Sequence, residues 1–82
     1  MSYKIFYGED SQKQLDALDK SIKIQVLKKI AQLENSPELG EPLSNVLKNK
    51  RRLHVGKFRV IYLISDNDVI ISRIGHRKDV YK

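Results

Sequence analysis

The stretch Arg52-Leu53-His54-Val55-Gly56-Lys57-Phe58-Arg59-Val60-Ile61-Tyr62-Leu63-Ile64 decides how this chain folds. Its first part alternates with period two: Arg52 and His54 fall on one face of an extended strand, Leu53 and Val55 on the other. Gly56-Lys57 then permits a tight hairpin, because glycine reaches backbone angles that other residues resist. From Phe58 to Ile64 every position except Arg59 is apolar, as suits a central strand covered on both faces. Asp66-Asn67-Asp68 forms a turn cluster, and Val69-Ile70-Ile71-Ser72-Arg73-Ile74 pairs back as a last strand that Gly75 ends. Residues 51–74 therefore predict a three-strand antiparallel meander. A basic tail, His76-Arg77-Lys78-Asp79-Val80-Tyr81-Lys82, follows it.

Upstream of the meander the pattern is helical. Tyr3-Lys4-Ile5-Phe6-Tyr7 is aromatic and β-branched, lacks a helix cap and runs into Gly8, so it predicts a first strand. Asp10 or Ser11 then offers an N-cap, and Leu15, Leu18 and Ile22 recur at helical spacing. Asp19 or Ser21 can cap a second helix with the stripe Ile22, Val26, Ile30 and Leu33, widened by Leu27 and Ala31. That helix should stop near Asn35-Ser36, since Pro37 disfavours helical geometry in the residue before it. Residues 37–50 carry Pro37, Gly40, Pro42, Ser44 and two asparagines, and predict a loop with at most one short turn, basic at its end through Lys48 and Lys50. Strand, helix, helix, meander is the order of an α+β fold rather than a doubly wound one. The helical hairpin should pack on one face of a mainly antiparallel sheet and leave the other face to the arginines.

Eighty-two residues make a single domain, spanning 1–82, with a core of modest size. Cysteine is absent, which excludes disulfides and thiolate metal sites, and two histidines do not make a zinc site. No apolar run approaches the roughly 20 residues of a membrane span, and the first ten residues lack a signal-peptide layout. These features predict a soluble cytoplasmic protein without a cofactor; Leu15, Leu18, Ile22, Val26 and Ile30 read as core. The charge is segregated. Residues 1–47 hold 6 Lys and Arg against 7 Asp and Glu, residues 48–82 hold 10 against 3, and the net +6 is thus the sum of −1 and +7. All five arginines, Arg51, Arg52, Arg59, Arg73 and Arg77, lie in the second part. Because a guanidinium fork matches a phosphate, this half predicts an anion-binding surface for nucleic acid or an acidic protein segment.

Two motifs give the surface a family context. Arg52-Leu53-His54-Val55-Gly56-Lys57-Phe58-Arg59-Val60-Ile61-Tyr62 resembles the arginine–leucine–x–valine–glycine–x–aromatic–arginine–valine–isoleucine–tyrosine segment of the RelE/ParE toxin superfamily. Ile74-Gly75-His76-Arg77-Lys78-Asp79-Val80-Tyr81 resembles the ending of its RelE branch. The resemblance covers essentially the whole chain, including the helical hairpin and the Pro-Glu-Leu-Gly loop at residues 37–40. It implies the toxin of a type II toxin–antitoxin pair, a small endoribonuclease that enters the ribosomal A site and cuts mRNA. It also implies a RelB-like, acidic antitoxin that wraps the toxin in a heteromeric complex, with ribosome and mRNA as further partners.

Metal-free RNA cleavage has the 2′-hydroxyl attack the adjacent phosphate, and needs a base, positive charge on the phosphorane and a proton for the leaving oxygen. By the resemblance, Arg59 and Arg77 match the family's phosphate-clamping arginines, while Arg52 and Lys50 sit where it places basic residues before the third strand. Tyr81 matches a tyrosine assigned there to proton transfer or to nucleotide stacking. Where the best-known pattern has lysine and arginine, this chain offers Arg52 and His54, and it adds His76 beside Arg77. Imidazole titrates near neutrality, whereas free tyrosine and arginine do so far above it. The base is therefore open among Tyr81, His54 and His76. Lys48, Lys50, Arg51, Lys57, Arg73 and Lys78 complete a candidate RNA-binding surface, although Arg51 equally suits a charged strand edge that discourages sheet association. A charge at Arg59, inside an apolar strand, needs a partner or a ligand. Two other functions fit the same fold: a ParE-like inhibitor of DNA gyrase, and a non-catalytic RNA-binding module.

Overall fold

A computed structural model of the protein describes residues 2–43 and 49–80. Strand β1 (Lys4–Tyr7) leads into helices α1 (Glu9–Asp16) and α2 (Lys20–Ala31). A 3-10 turn over Gln32–Glu34 finishes α2, and a second covers Pro37–Leu39. Strands β2 (Glu41–Pro42), β3 (Lys50–Val55), β4 (Phe58–Ser65) and β5 (Asp68–His76) complete the chain. They form one sheet in the order β1-β5-β4-β3-β2, antiparallel throughout except where β1 runs parallel to β5. This is the expected α+β architecture, with one strand more than the loop composition suggested. Residues 41–42 pair with β3 at the sheet edge, Glu41 opposite Arg52 and Pro42 opposite Arg51.

The core lies between the helices and one sheet face. Leu15, Val26, Ile30 and Leu33 meet Leu53, Val55, Val60, Tyr62, Val69, Ile71 and Ile74, with Leu18 and Ile22 packed at its margin. The predicted stripe of α2 therefore holds through Val26, Ile30 and Leu33. Leu27 and Ala31 do not widen it, since both are exposed. The cap of α1 also differs from expectation. Gly8 is the N-cap, and Ser11 sits inside the helix, fully buried, its hydroxyl 2.9 Å from the Gly8 carbonyl and 2.8 Å from that of Ile71. Ser11 thus ties α1 to β5 instead of starting the helix. At the other end of the sheet, β5 runs through Gly75 to His76 rather than stopping before the glycine.

Strand β5 carries an irregularity that period-two reading cannot show. Ile61 pairs with Arg73 but Tyr62 pairs with Ile71, so Ser72 is an extra residue on the β5 side. Such a bulge shifts the alternation by one. It allows Ile71 and Ile74, three residues apart, both to face the core while Arg73 faces the other side. The Ser72 hydroxyl satisfies the Ile61 carbonyl at 3.1 Å.

Tyr62 anchors the loop that leads to β2. It is wholly buried, donates its hydroxyl proton to the Pro37 carbonyl at 2.6 Å, and accepts the Gly40 N–H at 2.9 Å. Tyr62→Phe keeps the ring and strands two backbone groups. We expect a loss of about 1–3 kcal/mol, visible in calorimetry as a melting point lowered by about 4–8 °C per kcal/mol. An unchanged melting point would mean that water replaces the hydroxyl without cost.

Candidate functional site

Opposed residues on neighbouring strands point to the same side of a sheet, so the register lays out the face away from the helices. One rung reads Glu41 (β2), Arg52 (β3), Ile61 (β4) and Arg73 (β5). The next reads His54, Arg59 and Gly75, and Lys50 lies opposite Leu63 on the far side of the first. Strands about 4.8 Å apart with rungs two residues apart bring Arg52, His54, Arg59 and Arg73 into one patch. The predicted alternation of Arg52 and His54 against Leu53 and Val55 holds.

Gly56 takes φ +58 in the hairpin turn, as expected of that position. The turn organises both arginines that the motifs single out. Arg59 Nη1 donates to the carbonyls of Gly56 and Phe58, each at 2.8 Å, and the Arg77 backbone N–H donates to the Lys57 carbonyl, also at 2.8 Å. The partner that the Arg59 charge requires is thus a pair of carbonyl dipoles. Among the described residues no carboxylate neutralises it. Its positive charge remains available for an anion.

After β5 the chain folds back over this face. The N–H groups of Asp79 and Val80 both donate to the His76 carbonyl, at 2.8 and 2.9 Å. Val80 lands on Gly75, its Cα 3.6 Å from the place a Cβ there would occupy. Arg73 Nη1 donates to the Val80 carbonyl at 3.2 Å. Val80 and Ile61 are both buried and stand apart from the main core. Ile61, at the centre of β4, is thus buried although it lies on the face away from the helices.

The three candidate bases separate. His54 lies in the patch, its Nε2 2.7 Å from Glu41 Oε1. His76 follows the alternation of Ile74 to the helix side, where its ring meets Phe58 edge-on at 5.6 Å and its Nδ1 accepts the Lys78 N–H at 3.2 Å. Tyr81 lies outside the described residues, as does Lys48. Of the remaining basic residues, Lys57, Arg77 and Lys78 are exposed around the turn and tail. Arg51 faces the opposite side from Arg52, donating to the Gly40 carbonyl at 2.7 Å, so its guanidinium fastens the loop.

Glu41 is the residue that sequence reading passed over. Its Oε1 accepts from Arg52 Nε at 3.0 Å, Arg52 Nη2 at 2.8 Å and His54 Nε2 at 2.7 Å. The hydrogen bond from His54, and next that from Arg52, hold its carboxyl below the ordinary glutamate range. Glu41 is therefore a carboxylate at neutral pH and loses that charge only as pH falls through the lowered value. Nothing in the string Gly40-Glu41-Pro42 marked a strand; only the pairing of Glu41 with Arg52 reveals it.

Comparison with known proteins agrees with this architecture. The family model for the ParE toxin of the type II toxin–antitoxin system parDE matches residues 5–81. An Escherichia coli protein described as a RelE-like toxin is 30% identical over 87 aligned positions, which cover 99% of this chain and 92% of that protein. Among solved structures, the RelBE2 toxin–antitoxin complex of Mycobacterium tuberculosis contains a chain that superposes with TM-score 0.85 at 26% identity, over 94% of this chain and all of the other. The intact E. coli RelBE complex gives TM-score 0.81 at 18% identity, over 92% of this chain and 96% of its own, a likeness of fold. The helical hairpin on a mainly antiparallel sheet matches the RelE-type structures, and the family match assigns the chain to a class of small toxins, the RelE/ParE superfamily. This chain belongs to it, as a member of the ParE toxin family on the RelE side of the superfamily.

Proposed function

We propose that this chain is the toxin of a type II toxin–antitoxin pair and cuts mRNA in the ribosomal A site. The observation that supports this best is the two-rung patch of Arg52, His54, Arg59 and Arg73, bordered by the hairpin turn that gathers Arg59 and Arg77. In this reading Arg59, Arg77 and Arg52 bind the scissile phosphate and stabilise the charge that builds on its oxygens. The chemistry needs no metal: the 2′-hydroxyl is the nucleophile, and the protein supplies cations and a proton acceptor. Lys50, Lys57, Arg73 and Lys78 add diffuse attraction for the RNA backbone. Tyr81 stacks on a nucleotide or assists proton transfer. The site of action is the cytoplasm, where ribosomes translate.

The test is incubation of the purified protein with programmed ribosomes, followed by mapping of message ends. Cleavage confined to ribosome-bound mRNA, leaving a 2′,3′-cyclic phosphate and a 5′-hydroxyl, is expected. A second reading is favoured by the family description itself, since the matching model is that of ParE. Intact mRNA together with inhibited DNA supercoiling would establish gyrase as the target instead.

An antitoxin partner is supported by the charge and by the toxin–antitoxin complex in which the RelBE2 relative was solved. Residues 48–82 carry +7, being 10 basic against 3 acidic residues. An acidic, amphipathic antitoxin segment should cover the basic face or displace the tail. Its association rate with the toxin should fall steadily as salt rises, because screening shortens the reach of opposite charges. Stopped-flow mixing at several ionic strengths reads this directly, and a rate independent of salt would remove electrostatic steering from the account.

A further inference from the structure

We infer that Glu41 is a positioning residue for His54: by accepting the Nε2–H it makes Nδ1 the atom that takes the proton from the attacking 2′-hydroxyl. The inference rests on the ribonuclease reading and deepens it, closing the choice of base in favour of His54.

Several features place Glu41 with care. Residues 41–42 form an edge strand of only two residues, long enough to set one side chain opposite Arg52. The preceding Gly40 permits the close pass: a Cβ there would lie 2.8 Å from the Arg52 carbonyl oxygen and 2.7 Å from the Tyr62 hydroxyl. Arg51 and Tyr62 then hold Gly40 by its carbonyl and its N–H, at 2.7 and 2.9 Å. A buried tyrosine, an arginine on the helix side and an obligatory glycine thus converge on the register of one exposed glutamate.

The carboxylate fixes what solvent only biases, namely which ring nitrogen carries the proton. A neutral imidazole carries one N–H and one lone pair, and a carboxylate at Nε2 selects the tautomer with the proton there. Arg52 binds the same Oε1 from the side, so the carboxylate is oriented and stays ionised at neutral pH. Among the described residues Nδ1 of His54 has no hydrogen-bond partner. Arg59 stands directly across from His54 on β4. Lys29 of α2, with Leu39, borders the same shallow depression as Glu41, Arg52 and His54. A phosphate drawn to Arg52 and Arg59 would bring its neighbouring ribose toward the ring.

The step balances without another cofactor. The 2′-oxygen bonds to phosphorus as its proton passes to His54 Nδ1. The bond from phosphorus to the 5′-oxygen breaks, and that oxygen takes a proton from water. The hydroxide so formed recovers the proton from the imidazolium, with a cyclic phosphate and a 5′-hydroxyl as the net products.

Two measurements on the full chain test the inference. Nitrogen-15 NMR of the ring should show the Nε2–H tautomer for neutral His54 in the wild type, and a mixture in Glu41→Ala, whose fold is kept because the residue is exposed at the edge. In single-turnover cleavage on programmed ribosomes, Glu41→Gln should slow the reaction by about 10²-fold, the lower range of what a positioned acid–base group contributes. In a His54→Ala background the same change should cost nothing further, since it acts only through the ring. Equal losses from Glu41→Gln in both backgrounds, a wild-type rate in Glu41→Gln, or an Nδ1–H tautomer in the wild type would each overturn the inference. Wild-type protein that leaves mRNA intact removes the ribonuclease reading, and the inference with it. Cleavage that ignores Glu41 removes the inference alone.

Discussion

Ile30→Asp is expected to leave no folded protein at room temperature, seen as the loss of a cooperative thermal transition. Ile30 is 2% exposed, on the stripe of α2 that joins the core cluster together with Leu53, Val60 and Tyr62. Truncating such a side chain alone costs about 2–5 kcal/mol. An unpaired carboxylate in the same place adds several kcal/mol, whether it stays charged or is forced to take up a proton. An 82-residue domain has about 4–12 kcal/mol to lose, so the substitution consumes nearly all of it. Leu27→Asp is the control, three positions away on the same helix but 38% exposed. It should shift stability by less than about 1 kcal/mol. Native stability in Ile30→Asp would mean that α2 presents a different face to the sheet.

The contrast between Ile30 and Leu27 shows what the sequence alone could convey. Helical period identified the stripe, since Val26, Ile30 and Leu33 recur where a helix on a flat support must bury them. Period alone does not fix the width of the contact, and Leu27 and Ala31, which it places beside the stripe, stay exposed. The meander was legible for a similar reason: the alternation in β3 and the turn residues at Gly56-Lys57 are local signals. The bulge at Ser72 was not, because it exists only in the pairing of β5 with β4. Strand β2 was hidden in a loop composition of proline and glycine, and the preceding Gly40 is held by Arg51 and Tyr62, 11 and 22 positions away. The same limit governs the site. Arg52 and His54 could be placed on one face from period two, whereas Arg59 joins them only through the register of β3 with β4, and the separation of His76 from them follows from β5 continuing through Gly75. Glu41, contributed by a short edge strand, carried no local signal at all.

The largest effect on activity should come from Arg59→Ala, which is expected to slow mRNA cleavage by about 10²–10³, the usual cost of losing one donor aimed at developing charge. Arg59 is held before any substrate arrives: its Nη1 is fixed by the carbonyls of Gly56 and Phe58, while no carboxylate among the described residues competes for its charge. A pre-set guanidinium loses little on binding and gains most when the phosphorane charge builds, which is the condition for raising the rate of the chemical step. Arg77→Ala should behave likewise, since its backbone is tied to the same turn at Lys57. Ribosome binding should weaken but remain measurable in both, because many Lys and Arg contacts share the salt-sensitive affinity for RNA. Arg59→Lys should recover only part of the rate, as an ammonium cannot present a bidentate fork. Lys13→Ala and Lys23→Ala should change little: Lys13 and Lys23 lie on the helices and pair with Glu9 and Asp16, away from the basic face. Tyr81→Phe divides the two roles of that residue, since stacking tolerates the change and proton transfer does not. Single-turnover cleavage on programmed ribosomes is the measurement. Wild-type rates in both arginine variants would take the phosphate away from the Gly56-Lys57 turn, and would leave gyrase inhibition as the better account of the same fold.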